Sequence, residues 1–362
     1  MGQGKTKNAY LLAYTNEMPR YVAAYILEYY NGESVNTQVG YCIDIRVFLN
    51  YLRLAVFPEL DSIKDITADH LNRVTASDLI SFKHYLKEYE VESVSPSGRM
   101  VKRVYRNSPY GINRKMSAVR GLFIYLYKTD QLSQNVTDKI DFAKLHQKIK
   151  KPLTTQETLA LLDVIFHGEN YYDGRTKTEY LKRKLRDNAL FLTYLGTGVR
   201  VSELVNLNIE QIDFDTSSFI VTRKGGDEQE IFMPPQVENA MWEYLHENPA
   251  EEKPRETGPV FLSRNGRRIT TASVESLLKN YCRTAGITHP DKTRPHALRR
   301  TFACRLLEDG IDIKMVAELM GHKNIEVTHR YYAQYNAKAR KSVMQAVQLP
   351  VPEPESDAAE NS

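Results

Sequence analysis

The sequence feature that most constrains the fold is a change of hydrophobic pattern at the charged, proline-stopped segment 148–152. Upstream of it, apolar residues recur at the spacing of helices. Downstream, helical runs continue, but two short runs, 218–222 and 230–233, flank a Gly-Gly turn and predict a β-hairpin. The pattern therefore predicts an all-helical domain over residues 1–147, a linker at 148–152 and a second, mostly helical domain with a small antiparallel sheet.

Length and composition agree with two soluble domains. The chain has 362 residues, of which 42% are hydrophobic and 26% are charged, and these are ordinary values. No apolar run reaches the roughly 18 residues of a membrane span. Cys42, Cys282 and Cys304 form no C-x-x-C pair, so we expect a reducing cytoplasm and neither a disulfide framework nor a zinc site. The second domain is predicted to end at residue 348, before a disordered acidic tail, 349–362.

Individual helices can be placed from the apolar spacing. In the first domain, residues 36–53 form one helix, a second starts at Ser77-Asp78, and residues 113–127 form a third. The predicted apolar stripe of the first helix is Val39, Ile43, Val47, Leu49 and Leu52. The polar, basic segment 91–111 is predicted to be a loop or a hairpin. The predicted helices of the second domain are 155–166, 184–196, 236–247, 271–285 and 297–348.

Part of the first domain has an unusual charge pattern. From Arg99 to Lys128 there are eight Lys or Arg residues and no Asp or Glu. Such a run is consistent with contacts to DNA phosphates, although a solvated basic face explains it equally well. We call residues 99–120 the basic segment. Its candidate DNA-binding residues are Arg99, Lys102, Arg103, Arg106, Arg114, Lys115 and Arg120.

The second domain carries a series of short motifs. In chain order they are residues 196–204 (Gly-Thr-Gly-Val-Arg-Val-Ser-Glu-Leu), Lys224 in the hairpin turn, residues 296–299 (His-Ala-Leu-Arg), residues 319–322 (Leu-Met-Gly-His) and Tyr331, nine residues later. Each alone has an ordinary explanation, because turn lysines are usually solvated and the chain has 23 tyrosines. Together, their order and spacing resemble the signature of the tyrosine recombinase, or phage integrase, family.

The resemblance covers essentially residues 20–347, including the first-domain helices, and is strongest to Xer-type recombinases, particularly the single-recombinase branch of streptococci. It implies a SAM-like helical core-binding domain and a catalytic domain that form a clamp around DNA. It also implies a homotetramer on two paired double-stranded sites, with a C-terminal helix, residues 337–348, docked into a neighbouring protomer. Alternatively, that helix packs on its own core.

The resemblance also assigns the reaction. Tyr331 would attack the phosphorus and form a 3′-phosphotyrosyl bond, which stores the bond energy, so neither ATP nor a metal or other cofactor is expected. Arg200 and Arg299 offer forks of donors suited to the two non-bridging oxygens. Lys224 is the candidate general acid for the departing 5′-oxygen.

Three further residues complete the predicted site. His296 would accept or share the tyrosine proton, His322 would donate a hydrogen bond to the scissile phosphate, and Glu203 would support the site from one helical turn beyond the first arginine. Lys224 has two rivals as the general acid, because Arg223 lies beside it and Lys292 lies close to His296 in sequence. Tyr331 has one rival as the nucleophile, the adjacent Tyr332.

Two features leave more than one interpretation open. The family commonly has a histidine directly after the second arginine, where this chain has Arg300; we interpret this residue as supporting, or as a contact to the DNA backbone. The biological role is either chromosome dimer resolution or integration of a mobile element, and the sequence shows no obvious arm-binding segment ahead of the core-binding helices, which favours the former. An accessory factor cannot be identified from the sequence.

Two further classes of protein would share much of this pattern. A type IB topoisomerase would use the same Arg, Lys, His and Tyr chemistry without pairing two sites, and the core-binding helices favour a recombinase over it. A DNA-binding protein that has lost catalysis would keep the fold, but this chain retains a residue of the required type at every predicted catalytic position. We therefore expect an active recombinase.

Overall fold

The protein folds into two compact units, Met1–Gln147 and Lys148–Ser362. The computed structural model describes residues 9, 11–29, 34–94, 99–143, 145, 150–223, 226–247 and 255–321. Within these ranges both units are mainly helical and each has one small antiparallel sheet, which confirms the predicted mainly α fold. Every helix in these ranges is too short or too polar to span a bilayer. The assignment of the units as core-binding and catalytic domains stays a prediction.

The first unit is a set of helices interrupted by a hairpin. Its elements are α1 (Arg20–Ala24), which continues into a π-helical turn (Tyr25–Tyr29), α2 (Val35–Ala55), α3 (Ala68–Arg73), α4 (Ala76–Tyr85), β1 (Glu88–Val94), β2 (Met100–Arg106) and α5 (Pro109–Lys128). Helix α4 begins with a capping box, because the Asp78 N–H donates to the Thr75 hydroxyl and the Thr75 N–H donates to the Asp78 carboxylate. The predicted start at Ser77-Asp78 therefore lies inside the first turn.

Helix α2 packs the predicted stripe against the core except at one position, Ile43. Leu49 and Leu52 are buried as predicted, but the Ile43 side chain is 41% exposed. The next residue, Asp44, is buried instead, because the guanidinium of Arg114 in α5 donates to both of its carboxylate oxygens at 2.5 and 2.9 Å. A buried carboxylate is stable only with such partners. Because Asp44 is polar, a pattern of hydrophobic residues could not predict that it is buried.

The β1–β2 hairpin corrects the all-helical expectation for the first unit. The two strands pair antiparallel along their whole length, so of the two structures predicted for residues 91–111, the hairpin is the one present. Aromatic residues hold it to the helices, since Tyr89 stacks on Tyr105 across the strands and on Tyr85 at the end of α4, with ring centroids 5.4 and 5.3 Å apart. Cross-strand aromatic pairs of this kind stabilise a two-stranded sheet.

The second unit surrounds a central helix with further helices and a three-stranded sheet. Its elements are α6 (Thr155–Phe166), α7 (Gly174–Leu181), α8 (Lys184–Thr197), α9 (Val201–Asn206), β3 (Ile212–Asp213), β4 (Ser218–Thr222), β5 (Glu228–Phe232), α10 (Pro235–His246), α11 (Thr271–Thr284), α12 (Pro295–Glu308) and α13 (Ile313–Leu319). Helices α6, α8, α10 and α11 lie within one residue of their predicted bounds. The predicted helix 297–348 is interrupted instead, because the chain turns at Gly310 with φ 85° between α12 and α13.

The sheet of the second unit has the order β3-β4-β5, with both pairs antiparallel. Phe219 on β4 lies opposite Ile212 on one side and Ile231 on the other, and it is fully buried in the core. The hairpin formed by β4 and β5 is confirmed, whereas β3 has only two residues, too few for a hydrophobic pattern. The β4–β5 hairpin thus stands on a buried base.

One buried polar contact fixes α8 in the core. Asp187 is completely buried and accepts hydrogen bonds from the Arg186 guanidinium and the Tyr281 hydroxyl, each at 2.6 Å. Tyr281 belongs to α11, so the contact ties two helices together. Because an unpaired buried carboxylate would be costly, this arrangement sets the register of α8, the helix that ends at the first predicted motif.

Candidate active site

The turn after α8 determines where Arg200 lies. Helix α8 ends at Gly198, which adopts the left-handed conformation with φ 62°. A Cβ at this position would come within 2.2 Å of the Phe302 ring, so only glycine fits both the backbone conformation and the space. The chain then enters α9, with Arg200 at its N-cap. The glycines of the Gly-Thr-Gly motif therefore serve to place the arginine.

Glu203 binds two arginines at once. Its side chain is buried and accepts hydrogen bonds from the Arg200 N–H at 2.8 Å, the Arg200 guanidinium at 2.8 Å and the Arg223 guanidinium at 2.7 Å. Burial raises the pKa of this carboxyl, but the hydrogen bonds from Arg200 and the charge of Arg223 outweigh it and hold the pKa below its usual value. Glu203 is therefore ionised at neutral pH and orients Arg200.

Arg299 lies on the buried side of the same site. It belongs to α12, is 4% exposed, and donates hydrogen bonds to the Gly198 and Met320 carbonyl oxygens. Burial and the nearby charge of Arg200 lower the pKa of Arg299 to about 10. Burial is the larger cause; the charges of Arg200 and Arg223 add to the lowering of this pKa, and the charge of Glu203 opposes it. We call Arg200, Arg223 and Arg299 the arginine cluster.

Three consecutive carbonyl groups at the end of α13 each accept a hydrogen bond from a different member of the arginine cluster. The Leu319 carbonyl accepts from Arg223 at 3.4 Å, the Met320 carbonyl from Arg299, and the Gly321 carbonyl from Arg200 at 3.0 Å. The last carbonyls of a helix have no partner within it and carry partial negative charge. The end of α13 thus matches the cluster in charge as well as in position.

The close approach of Arg223 also requires a glycine at position 321. Its φ is 58°, and a Cβ there would lie 2.7 Å from Arg223 Nε. Any other residue would displace the guanidinium or strain the backbone. The glycine of the second-domain motif 319–322 therefore permits close packing against an arginine, directly before His322.

His296 occupies the first turn of α12, after Pro295 at the first helical position. Its side chain keeps solvent contact, yet desolvation of the ring, followed by the charges of Arg299 and Arg300, holds the pKa of His296 below its usual value. The imidazole is therefore neutral at physiological pH, which is the form that can accept a proton.

The rival residues have separate positions. Arg223 is buried and belongs to the arginine cluster, a role that the sequence did not reveal because its carboxylate partner lies 20 residues away. Lys292 binds both carboxylate oxygens of Glu157 at 2.6 Å, so its amine is occupied in tying the segment before α12 to α6. Arg300 is buried and donates to the Lys151 carbonyl at 3.0 Å; this agrees with a supporting role, and a contact to the DNA backbone stays a prediction.

Several predicted residues lie outside the described residues. They are Lys224, His322 and Tyr331, together with the rival Tyr332 and the C-terminal segment 337–348. Their roles stay predictions. Of the predicted site, the structure describes Arg200, Glu203, His296 and Arg299, whose catalytic roles also stay predictions, and it adds Arg223 to their surroundings.

In the first unit, part of the basic segment has a structural role. Arg114 binds Asp44, and Lys115 is buried with its amine 3.6 Å from the same carboxylate. The Arg120 guanidinium donates to the Thr137 and Ile140 carbonyls. As placed, these three side chains hold the helices of the first unit together, and the Arg114 side chain stays more than half exposed. Their contacts to DNA stay a prediction.

The remaining cations of the basic segment lie on or beside the hairpin and are exposed. Arg106 pairs with Glu88 at 2.8 Å and Lys102 pairs with Glu90 at 2.5 Å. Arg103 points to the other face of β2, and no ion pair joins it to a described residue. Arg99 precedes β2 and is also exposed. The acid-free run in the sequence is therefore not acid-free in space, because β1 brings glutamates beside it.

The arrangement in the second unit suits the stabilisation of a phosphate. One carboxylate faces three guanidinium groups, and the other identified acceptors are a side-chain amide and neutral carbonyls. Excess positive charge in a largely buried site stabilises an anion far more than it would in water. Within the described ranges, no group of three or more His, Cys, Asp or Glu side chains could hold a metal ion.

Comparison with known proteins identifies the family. The Phage integrase family model matches residues 175–338. Tyrosine recombinase XerA of Pyrococcus furiosus is 30% identical over 74% of this chain and 87% of the relative, and tyrosine recombinase XerS of Streptococcus thermophilus is 28% identical over 90% of this chain and 96% of the relative. The fold is shared with the Tn1549 transposon integrase, solved with a circular intermediate DNA, at a TM-score of 0.63 and 21% identity, covering 91% of this chain and all of that one. The chain belongs to the tyrosine recombinases, the enzymes that cleave and rejoin DNA strands at specific sites.

Proposed function

We propose that this protein is an Xer-type recombinase that resolves chromosome dimers in the cytoplasm, acting as a tetramer on two paired DNA sites. The observation that carries the catalytic part is the convergence of Arg200 and Arg299 beside the ionised Glu203. The near-complete coverage of an Xer relative by this chain supports the Xer-type role. The likeness to a transposon integrase supports the second candidate, integration of a mobile element.

In the proposed reaction, Tyr331 attacks the scissile phosphorus. The bond from its phenol oxygen to phosphorus forms as the bond to the 5′-oxygen breaks, and the electron pair stays on that oxygen, which takes a proton from Lys224. The phenol proton passes to His296, whose neutral ring is kept available by its lowered pKa. Arg200 and Arg299, with His322, stabilise the charge of the phosphorane.

The nucleophile is tested with a DNA substrate nicked near the cut site, which traps the covalent adduct. Wild-type protein should form the adduct in excess EDTA and without nucleotide, because the phosphotyrosine conserves the bond energy. Tyr331→Phe should bind the site and form no adduct, since it lacks only the phenol oxygen, while Tyr332→Phe should retain cleavage. An adduct with the first variant and none with the second would reassign the nucleophile.

The two biological roles are separated by locating the adducts in cells. Covalent adducts of the wild-type protein with chromosomal DNA can be isolated and sequenced. A single chromosomal site near the replication terminus supports dimer resolution. Adducts at the joined ends of an excised circular element would instead make the protein an integrase.

Docking of residues 337–348 between protomers is part of the proposal. Truncation after Asn336 should leave binding to a single site nearly intact and abolish paired-site assembly, whereas truncation after Leu349 removes only the acidic tail and should change little. Assembly of the shorter form at wild-type levels would assign the helix to its own subunit.

A further inference from the structure

Arg223 occupies a position that the catalytic assignments do not use. It directly follows β4 and is the first residue of the turn whose second residue is Lys224. Its backbone N–H donates to the Asp227 carbonyl at 2.7 Å, and its carbonyl accepts from the Gly226 N–H at 3.0 Å. The backbone of Arg223 therefore closes the base of the turn, while its side chain is 7% exposed and points into the arginine cluster.

The guanidinium of Arg223 contacts three separate elements. It donates to Gln229 Oε1 on β5 at 2.7 Å, to Glu203 Oε2 on α9 at 2.7 Å and to the Leu319 carbonyl at the end of α13 at 3.4 Å. Gln229 adds a link of its own, since its amide donates to the Glu318 carbonyl at 3.2 Å. Both strands of the hairpin are thus fixed to the end of α13 by side chains.

Glu203 does not depend on Arg223 alone. Arg200 supplies it with a backbone and a guanidinium hydrogen bond, so the clamp arginine keeps its carboxylate if Arg223 is removed. The hairpin, in contrast, loses its main side-chain anchor. Removing Arg223 should therefore displace the β4–β5 turn more than it displaces Arg200.

We infer that Arg223 is a positioning residue for the general acid: it anchors the base of the β4–β5 turn on Glu203 and on the end of α13, and so fixes where Lys224 begins. This inference rests on the proposed function of Lys224. In the step concerned, the bond from phosphorus to the 5′-oxygen breaks and the oxygen takes the lysine proton. Arg223 touches no reacting atom and acts through the residue that follows it.

The leaving group provides a test that separates this role from a general loss of structure. Two nicked substrates are compared, one with the natural 5′-oxygen at the cut and one with sulfur in its place. A thiolate is a good leaving group without protonation, so the sulfur substrate needs no general acid. Removal of a general acid typically costs between about 10²- and 10⁴-fold in rate.

Arg223→Met should slow adduct formation on the oxygen substrate by about 100-fold, in the lower part of that range. On the sulfur substrate, the rate of adduct formation by this variant should lie within about threefold of the wild-type rate, because only protonation of the leaving group is impaired. Lys224→Ala should show the same pattern with a larger loss on oxygen. Arg200→Met should be slow on both substrates, and Arg267→Met, an exposed arginine of the same unit, should be normal on both.

If Arg223→Met lost the same factor in rate on both substrates, its effect would lie on Arg200 and Arg299 and the inference would be overturned. A normal rate on the oxygen substrate would also overturn it. If Arg223→Met fails to fold, Gln229→Leu takes its place, because it removes one partner of Arg223 and the link to α13. This variant should lose less rate on the oxygen substrate, and the sulfur substrate should restore that rate. A rate that sulfur does not restore would also overturn the inference. Failure of wild-type protein to form any adduct, or cleavage by Tyr331→Phe, would instead refute the proposed function.

Discussion

The arginine cluster of the second unit and the basic segment of the first were both predicted to bind DNA phosphates, but they are neutralised differently. In the cluster, Arg200 and Arg223 share one carboxylate, Glu203, and the other donors of the three arginines go to an amide and to neutral carbonyls. In the basic segment, Lys102 and Arg106 each have a carboxylate of their own, and Arg114 shares Asp44 with Lys115. The first arrangement retains positive charge for an anion, whereas the second largely cancels it.

The difference shows which kind of sequence signal carries function. A motif with fixed spacing reports side chains that must meet in space, so it remains informative after folding. A run of like charges reports only what lies along the chain. Glu88 and Glu90 precede the basic segment by about ten residues in sequence, and antiparallel pairing places them beside Arg106 and Lys102. Charge should therefore be counted across strands as well as along them.

The largest expected effect belongs to the arginine cluster. Arg200→Met and Arg299→Met should each slow cleavage at saturating DNA by at least about 10²–10³-fold, the usual cost of losing a donor to a developing oxyanion. Single-turnover adduct formation on the nicked substrate measures this. Binding to the site should change far less, and Arg267→Met serves as the control. If either variant cleaved near the wild-type rate, that arginine would not stabilise the phosphorane.

The next effect should appear as lost stability in the first unit. Arg114→Met leaves the buried Asp44 carboxylate without its two guanidinium hydrogen bonds. We expect local destabilisation of about 1–2 kcal/mol, a value reduced because the Arg114 side chain is more than half exposed. Hydrogen exchange of the α2 and α5 amides in the full-length protein measures it.

The control for that experiment is Arg103→Met, which removes an exposed cation and should leave the same amides protected. If Arg114→Met keeps full protection but flattens the salt dependence of DNA binding, the Asp44 contact is dispensable and Arg114 returns to the phosphate contacts.

A smaller effect concerns DNA binding by the hairpin. Each lysine or arginine that neutralises a phosphate contributes about 0.9 to the slope of log affinity against log salt. Arg103→Ala should lower the slope by close to that amount. Lys102→Ala should lower it by less, because Lys102 already pairs with Glu90 and its loss exposes that carboxylate. Equal slopes for the two variants would mean that DNA breaks the pair and that the charge count along the sequence was the better guide.

Much of the fold could be predicted because its signals are local. The predicted helix 113–127 lies within α5, whose Met116, Val119 and Leu122 are buried, and α6 has its predicted bounds. The signals that failed are non-local. Ile43 and Asp44 exchange places because Arg114 lies opposite them, and β3 exists only through pairing with β4.

The candidate site divides in the same way. Arg200, Glu203, His296 and Arg299 were predicted from the family's motif spacing, and the structure describes all four. Arg223 was considered only as a rival for the general acid, since no rule of sequence spacing links it to Glu203. Its burial depends on three elements that meet only in the folded unit.

The smallest effect expected is on the titration of His296, and it reports directly on the charge left in the arginine cluster. In the folded protein the pKa of His296 lies below its usual value through desolvation and the charges of Arg299 and Arg300. Unfolding therefore takes up a proton at pH values between the folded pKa and the unfolded value of about 6.5, so this residue lowers stability as the pH falls through that window. Removing the Arg299 charge should raise the pKa of His296 towards its usual value, as measured from imidazole ring-proton shifts in wild-type protein and in Arg299→Met. If the His296 titration is the same in both, the charge of Arg299 is already neutralised within the site, and the contrast between the cluster and the basic segment disappears.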